Sequence, residues 1–363
     1  MSSDSTRSWR RRAGRPAWIA AAVVAAAAGI AGVAGCGRGA AGGPCLLVLT
    51  GDGDPRLVAV PVAGGPARDV LPDVPGRVVD ALALARGTAA LVAIEPPGGG
   101  GRALWRIDAG AAAAPPRHVF DGPPTLTLQA ASRDGALVLV GHGLLLHLDG
   151  APRLEDLDAP GAEVVGAGDL SEDGGHVVVA FGAGCARDDA ACRLEIWGFD
   201  RAAPDRGWQV VARDATRSVD APWFVPGTAG ARLGYRRAVL DPACPGPRGC
   251  GAADLMEVGF ATPATRVTEA GVTSARPSPD GRQVAAVGDG HLVVGKPGVA
   301  LAPIADGAVA VVGWSPDRRW LGFAGADHHV VAIRADGGGR RDLGAGRGVA
   351  WLARLPTGAR PAP

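Results

Sequence analysis

The sequence predicts an all-β fold built from repeated units of four strands, and three observations lead to that prediction. A turn of the type Ser-Pro-Asp-Gly recurs between short apolar strands, most clearly at Ser278 and Ser315 and in degenerate form at Ser132 and Ser171. Pro presets the backbone of such a turn, and Gly or Asp accepts its tight conformation. The 57 Gly and 30 Pro among 363 residues favour frequent turns over long helices. A hydrophobic content of 47% still supplies a core, so disorder does not explain this composition.

The front of the chain has the features of an export signal. Five Arg precede an apolar, Ala-rich run over residues 17–35, which ends in Val33-Ala34-Gly35-Cys36. That ending resembles the lipobox of bacterial lipoproteins, in which a diacylglycerol is attached to the Cys thiol and the signal is cut just before it. We therefore expect a signal peptide over residues 1–35, palmitate-type lipidation of Cys36 and a flexible tether over residues 36–44.

Two other interpretations of this segment stay open: an uncleaved membrane anchor, since about twenty apolar residues span a bilayer, and an ordinary signal peptide. For a lipoprotein and for a membrane anchor alike, the Arg cluster stays in the cytoplasm. Lipoprotein and anchor both place the rest of the chain in the cell envelope. The lipoprotein interpretation puts it on the outer membrane or on the outer face of the cytoplasmic membrane.

The charge balance argues against a nucleic-acid partner. The formal net charge of the chain is +1, and residues 1–35 alone carry +4, so the remaining residues carry −3. Nucleic-acid-binding proteins usually carry a basic surplus or stripe. Aromatic residues make up 4% of the chain, which disfavours a carbohydrate-binding face with several aromatic platforms.

The six cysteines divide into one lipidation site, two close pairs and one single thiol. The pairs are Cys185 with Cys192 and Cys244 with Cys250, each in a loop rich in Gly, Pro or Asp. In an exported chain such pairs are candidate disulfides. Zinc is the competing interpretation, but neither pair has Cys-x-x-Cys spacing or a neighbouring His. Cys45 begins an apolar strand and is predicted to be a buried free thiol.

The repeated units extend over residues 45–356. Their length of roughly 35 to 50 residues is typical of four-stranded β-propeller blades. The first unit has only three strands, whereas residues 348–355 resemble the first strand of a repeat and nothing after them completes a blade. Pairing of this C-terminal strand with the N-terminal blade would close a ring, most simply with seven blades, although six or eight stay open. We expect residues 357–363 to be a disordered tail. The predicted units are residues 45–71, 78–120, 126–157, 163–212, 218–269, 272–305 and 308–343.

Two features resemble the repeats of TolB-type β-propellers, also called WD40-like repeats of the PD40 kind. They are the Ser-Pro-Asp-Gly turn between the first and second strands and a third strand that ends in Asp, as in residues 332–337. The resemblance covers most of residues 45–356, and the units at Ser278 and Ser315 match closely. It implies a protein-interaction platform in the cell envelope. TolB is a soluble periplasmic protein with an additional N-terminal domain, so the resemblance does not imply a role in the Tol system.

Two acidic residues are candidates for ligand binding at the mouth of a central channel. Asp80 and Asp220 each lie eight residues before the turn threonine of their unit, near the start of the innermost strand. They predict a mildly acidic mouth for a cation or a basic peptide. The alternative is that these acids accept hydrogen bonds from blade backbones. Three tryptophans lie at the ends of innermost strands: Trp223, Trp314 and Trp351. We expect them to pack between blades, and the alternative is an aromatic contact face for a partner.

The sequence contains no motif that identifies catalysis. It has no Gly-x-Ser-x-Gly elbow, His-Glu-x-x-His or phosphate-binding loop. Asp327, His328 and His329 form the one His cluster, and alternating side chains make a turn a better interpretation than a metal site.

We therefore expect a non-catalytic, monomeric, lipid-anchored propeller with an envelope protein as partner, and neither cofactor, metal nor nucleic acid. The rival hypothesis is a propeller enzyme resembling lyases, lactonases or glycosidases, with a metal- or carboxylate-based site in the channel. Such a site needs several converging carboxylates or His side chains. Asp80, Asp169 and Asp220 are too few to predict one.

Overall fold

The structure, a computed structural model, describes residues 43–51, 55–110, 114–141, 143–160, 164–182, 193–239, 253–259, 266–297, 299–356 and 359–362. Cys36 and the four paired cysteines lie outside these residues, so their predicted lipidation and disulfides stay predictions. None of the described residues forms a helix long and apolar enough to span a membrane.

The described residues form β-strands joined by turns, with short 3₁₀ segments at Ala85–Gly87 and Pro204–Arg206. The first strands are β1 (Cys45–Thr50), β2 (Arg56–Pro61), β3 (Arg68–Asp69), β4 (Arg77–Leu84), β5 (Ala89–Glu95), β6 (Arg102–Asp108), β7 (Arg117–Gly122), β8 (Leu128–Ala131), β9 (Leu137–Val140), β10 (Leu144–His147) and β11 (Arg153–Asp156). The middle strands are β12 (Val164–Leu170), β13 (His176–Gly182), β14 (Glu195–Asp200), β15 (Gln209–Ala212), β16 (Arg217–Phe224), β17 (Arg232–Val239), β18 (Ala253–Gly259) and β19 (Arg266–Pro277). The last strands are β20 (Val284–Gly288), β21 (His291–Gly295), β22 (Ala302–Asp306), β23 (Ala308–Trp314), β24 (Trp320–Gly325), β25 (His329–Arg334), β26 (Arg341–Ala345), β27 (Arg347–Leu352) and β28 (Arg360–Pro361).

The strands pair antiparallel with their neighbours in sequence, so each sheet is a meander. Four sheets have four strands: β4–β7, β8–β11, β12–β15 and β23–β26. A seven-stranded sheet runs from β16 to β22, because β19 is both the last strand of one predicted unit and the first strand of the next. The remaining sheet has the order β27-β1-β2-β3-β28, so a C-terminal strand pairs with the first strand of the fold.

The Ser-Pro-Asp-Gly turns and their degenerate relatives share one hydrogen-bond network. At Ser278, the hydroxyl donates to Asp280 Oδ1 at 2.7 Å and accepts from the N–H of Gln283 at 3.0 Å. The same two contacts recur at the three other turns with this serine, at 2.5–2.6 Å for the first and 2.8–3.0 Å for the second. All four serines are buried. A buried hydroxyl with both its donor and its acceptor satisfied fixes the turn, and thereby the register of the two strands that it joins. The serines are Ser132, Ser171, Ser278 and Ser315.

The fourth residue of each turn must adopt a left-handed backbone. Gly135, Gly174 and Gly281 have φ values of 73°, 72° and 69°, and Arg318 takes the same position at 64°. Glycine adopts this conformation without steric cost. The conformation explains the Asp-Gly pair that identifies the repeats in the sequence, and Arg318 is the exception that tolerates the strain.

Side chains alternate between two hydrophobic clusters along the strands. Leu47 and Leu49 of β1 pack toward β4–β6, whereas Leu46 and Val48 pack toward β25. Because successive side chains of a strand point to opposite faces, each sheet contributes to the core on both sides. This use of both faces explains why the strands read as nearly continuous apolar runs.

Seven such clusters lie between successive groups of strands within the described residues. The clusters follow the order of the chain, from the one that begins at β1–β3 to the one that reaches β23–β26. One cluster lies inside the seven-stranded sheet. The last lies between β23–β26 and the sheet that contains β27 and β1. The inner strands β4, β8, β12 and β16 pack on one another in succession, as do β19, β23 and β27, and β27 packs on β4. Successive antiparallel sheets around such inner strands form a β-propeller, so the predicted fold class is confirmed at that level.

Two predictions about single residues have different outcomes. Cys45 is a buried free thiol, as predicted, and burial raises its pKa to about 12. The prediction of a disordered tail is wrong for residues 359–362. There β28 pairs with β3, and the N–H of Ala362 donates to the carbonyl of Ala67 at 3.0 Å. The edge of the two-residue β3 needs a partner for its backbone groups, and the tail provides one.

We expect Ser278→Ala to lower the free energy of unfolding by about 1–3 kcal/mol, because it leaves the part-buried N–H of Gln283 without its acceptor. Urea denaturation followed by circular dichroism measures the change. Thr125→Val, which removes an exposed hydroxyl, is the control and should change stability by less than about 0.5 kcal/mol. Equal effects of the two substitutions would show that the serine network does not stabilise the turn.

Candidate functional site

The predicted site residues lie where the inner strands are irregular. The pairing of β4 with β5 shifts register between Val78 and Asp80, and that of β16 with β17 shifts between Asp220 and Trp223. Such bulges re-aim side chains and are common beside functional sites. The structure thus places Asp80 directly after the irregularity of β4 and Asp220 directly before that of β16.

Asp80 is half-buried and bonded to backbone groups. Its Oδ1 accepts from the N–H of Ala81 at 2.9 Å, and its Oδ2 accepts from the N–H of Leu128 in β8 at 3.3 Å. Desolvation raises the pKa of this carboxyl, against the opposing effect of these bonds. Asp80 therefore connects one inner strand to the next, which is the alternative that the sequence left open.

Asp220 is buried and ion-paired with Arg236 of β17. The Nε of Arg236 donates to Oδ1 and its Nη2 donates to Oδ2, both at 2.8 Å. This bidentate hydrogen bonding raises the pKa of the guanidinium. Sequence reasoning missed Arg236, although the two residues face each other directly across the β16–β17 hairpin. Opposite charges at facing positions of a hairpin are the signal that could have found it.

Asp169 of β12 is a third carboxylate among the inner strands. Its Oδ2 accepts from the N–H of Phe224 in β16 at 2.6 Å. Desolvation raises its pKa to about 6, although Arg276 attracts the charged form. Asp169 thus joins β12 to β16 as Asp80 joins β4 to β8.

A cavity of ≈ 200 Å³ opens beside these strands and is lined by Asp220, Arg236, Thr273, Ser274 and Arg276, among others. The Arg236 guanidinium neutralises Asp220, and Arg276, whose side chain is exposed, adds a positive charge. Asp220 therefore adds no net negative charge to this cavity, because its carboxylate already has a cationic partner within the fold.

The three tryptophans are buried at 4–8% exposure. Trp314 Nε1 donates to the carbonyl of Arg276 at 3.1 Å, and Trp351 Nε1 donates to that of Gly313 at 3.0 Å. Both bonds run from one inner strand to the preceding one. Trp223 packs over Gly234, where a Cβ would lie 2.2 Å from its ring. Packing within and between sheets thus explains all three residues, as their position in the sequence predicts.

The His cluster forms a turn between β24 and β25. Asp327 Oδ1 accepts from the N–H of His329 at 3.1 Å, and the imidazole of His329 bonds to Asp342 at 2.7 Å. His328 has a φ of 63° at the tip of the turn. Among the described residues, no group of three or more His, Cys, Asp or Glu side chains is placed to hold a metal ion.

Solved structures share the fold of this chain. Tricorn protease aligns with a TM-score of 0.59 at 10% identity, over 85% of this chain and 34% of the other. Oligogalacturonate lyase in complex with manganese aligns at 0.51 and 15% identity, over 84% of each chain. TolB from Acinetobacter baumannii aligns at 0.48 and 11% identity, over 85% of this chain and 66% of the other.

These identities demonstrate similarity of fold alone, and the score for TolB supports no further inference. The chain spans only part of tricorn protease and of TolB. No protein-family model matches the chain, and no curated protein matches it.

We expect Asp169→Asn to remove part of the pH dependence of stability. Because the pKa of about 6 in the folded state exceeds the ordinary value of 3.8, the folded state binds the proton more tightly. The contribution of this group is fully present below pH 3.8 and is lost as the pH rises through 6. An Asn side chain keeps an oxygen for the N–H of Phe224 and does not titrate.

Urea midpoints of the wild type and the variant, measured from pH 4 to pH 8, test this expectation. The midpoint of the wild type relative to that of the variant should fall between pH 4 and pH 7. A constant difference across the range would show that the folded-state pKa is not raised.

Proposed function

We propose that this chain is an exported, lipid-anchored β-propeller of seven blades that binds a protein of the cell envelope and catalyses no reaction. Seven hydrophobic clusters in cyclic order and the pairing of β27 with β1 support seven blades and a closed ring. The lipobox ending in Cys36 supports the anchor. The turn repeats support an envelope protein with TolB-like repeats.

The proposal that the protein catalyses no reaction rests on one observation: the polar side chains among the inner strands are already bonded to other parts of the fold. Asp80 and Asp169 accept hydrogen bonds from the next inner strand, and Asp220 is held by Arg236. A general acid or base must be able to reach a substrate proton. Side chains that are already bonded to the frame are better suited to hold it together than to act on a substrate.

One observation favours the alternative of an enzyme with its site in the central channel. The pKa of Asp169 is raised to about 6 beside Arg276, and perturbed carboxyls of this kind are common in active sites. The alternative would be lyase-, lactonase- or glycosidase-like. It predicts a bound metal or a substrate that contacts Asp169.

The test is a pull-down from cross-linked cell envelopes with the full-length protein as bait, with metal content recorded on the same preparation. We expect one reproducible protein partner and no stoichiometric metal. The absence of a partner, together with stoichiometric calcium or a transition metal, would overturn the proposal in favour of the enzyme.

The lipid anchor has its own test. We expect Cys36→Ser to abolish labelling by an alkyne analogue of palmitate, because the lipidated thiol is lost. Cys45→Ala removes a buried thiol instead and should leave labelling unchanged. Labelling that survives Cys36→Ser would contradict lipidation at this residue.

A further inference from the structure

A cleft of ≈ 560 Å³ lies between the β8–β11 sheet and the β12–β15 sheet, away from the inner strands. One wall is the end of β11 with Asp156 and the turn after it with Asp158, and the other is formed by β14 and the segment before β15. Its lining includes Trp197, Phe199 and Trp208, three of the few aromatic side chains of the chain. Neither the repeats nor the predicted site residues account for this cleft.

Trp208 is held rigidly in the wall of the cleft. Its Nε1 donates to the carbonyl of Leu157 at 2.8 Å, across from one sheet to the other. Its ring packs against Phe181 and Phe199, with centroids 5.7 Å and 5.4 Å away. The indole remains half-buried, so part of it faces solvent. A fixed aromatic surface binds a ligand without an entropic cost for ordering the side chain.

The rim of the cleft is negatively charged. Asp156 and Asp158 are exposed, and within the described part of the chain neither forms a salt bridge. Glu155 differs, because it bonds to His147 at 2.6 Å and to Arg201 at 3.3 Å. Arg201 is thereby neutralised, and two uncompensated carboxylates remain beside the aromatic wall.

The two carboxylates also border a second hollow. A cavity of ≈ 330 Å³ on the other side of the same turn shares Asp156 and Asp158 and is lined by Leu126, Val140 and Leu144. An extended ligand that crosses the turn would meet apolar surface on both sides and carboxylates in the middle. This arrangement suits a chain with a cationic side chain between apolar ones.

We propose that the cleft beside Trp208 binds an arginine or lysine side chain of an extended basic segment in a partner protein. A cation over an aromatic ring is attracted by the ring quadrupole, and the carboxylates of Asp156 and Asp158 attract the same charge. An arginine can also bond to a carboxylate through two N–H groups. This inference rests on the proposed function, because it names the class of partner.

Calorimetric titration of the full-length protein in detergent tests the inference. The probes are the acetylated and amidated peptide Ala-Arg-Ala-Arg-Ala, the matched peptide Ala-Glu-Ala-Glu-Ala, and a neutral glucan oligosaccharide. We expect saturable binding of the Arg peptide alone, weakened by salt because the charges are exposed.

The double variant Asp156→Asn/Asp158→Asn should raise the Kd for the Arg peptide at least tenfold. The substitution preserves the turn, because the side-chain amide oxygen introduced at position 156 can still accept from the N–H of residue 158, as Asp156 Oδ1 does at 2.9 Å. Asn also adopts the φ of 50° found at Asp158. Asp306→Asn/Asp336→Asn removes two carboxylates that are 86% and 61% exposed on other sheets and is the charge-matched control. Equal urea midpoints would confirm that the variants are folded.

The same double variant is also used as bait in the cross-linked pull-down. Loss of the partner together with weaker peptide binding supports the inference. A partner captured equally well by the double variant, or an Arg peptide that the wild type does not bind, overturns the inference and leaves the proposed function standing. Binding of the oligosaccharide instead of the peptide would overturn it in favour of a carbohydrate ligand, whereas failure to capture any partner with the wild type counts against the proposed function itself.

Discussion

The free edge of the inner strands is the constraint on which this fold depends. Each inner strand pairs along one edge with the second strand of its own sheet, β19 doing so over residues 272–277, so its other edge presents backbone groups that need partners. Side chains from neighbouring inner strands supply several of them. Asp80 accepts from Leu128, Asp169 accepts from Phe224, and Ser274 accepts from Val311. Trp314 and Trp351 donate to carbonyls of the preceding inner strands, and Arg347 donates to the carbonyl of Val79.

These bonds explain why polar and aromatic residues stand in otherwise apolar strands. A purely apolar inner strand would leave these backbone groups without protein partners, at a cost of about 1–3 kcal/mol for a group that is fully shielded from water. The same residues would look like the beginnings of an active site if their partners were unknown. Away from the inner strands, the cleft beside Trp208 combines a rigid aromatic wall with exposed carboxylates. A binding surface can therefore develop at the periphery without disturbing the bonds between the inner strands.

The sequence by itself determined the local features of this protein. The Ser-Pro-Asp-Gly turns depend on contacts within six residues, and the two-residue period of the strands is equally local, so the units and the all-β class could be predicted. Residues 348–355 resemble the first strand of a repeat but have no following strands to pair with. They therefore predicted the partner of β1, whose own unit lacks a first strand. The fate of the tail could not be predicted in this way, since residues 359–362 depend on the exposed edge of β3, which is distant in the chain.

Only the tertiary structure decided what the candidate residues do. Asp169 and Phe224 are 55 residues apart, and Trp208 meets Leu157 across 51 residues, so no local pattern brings them together. Asp220 was visible as an acid, but its neutralisation by Arg236 depends on the register of a hairpin with a bulge. The chemistry of a propeller surface arises where different sheets meet. Contacts between sheets are set by the packing of whole strands, which the sequence specifies only through the fold.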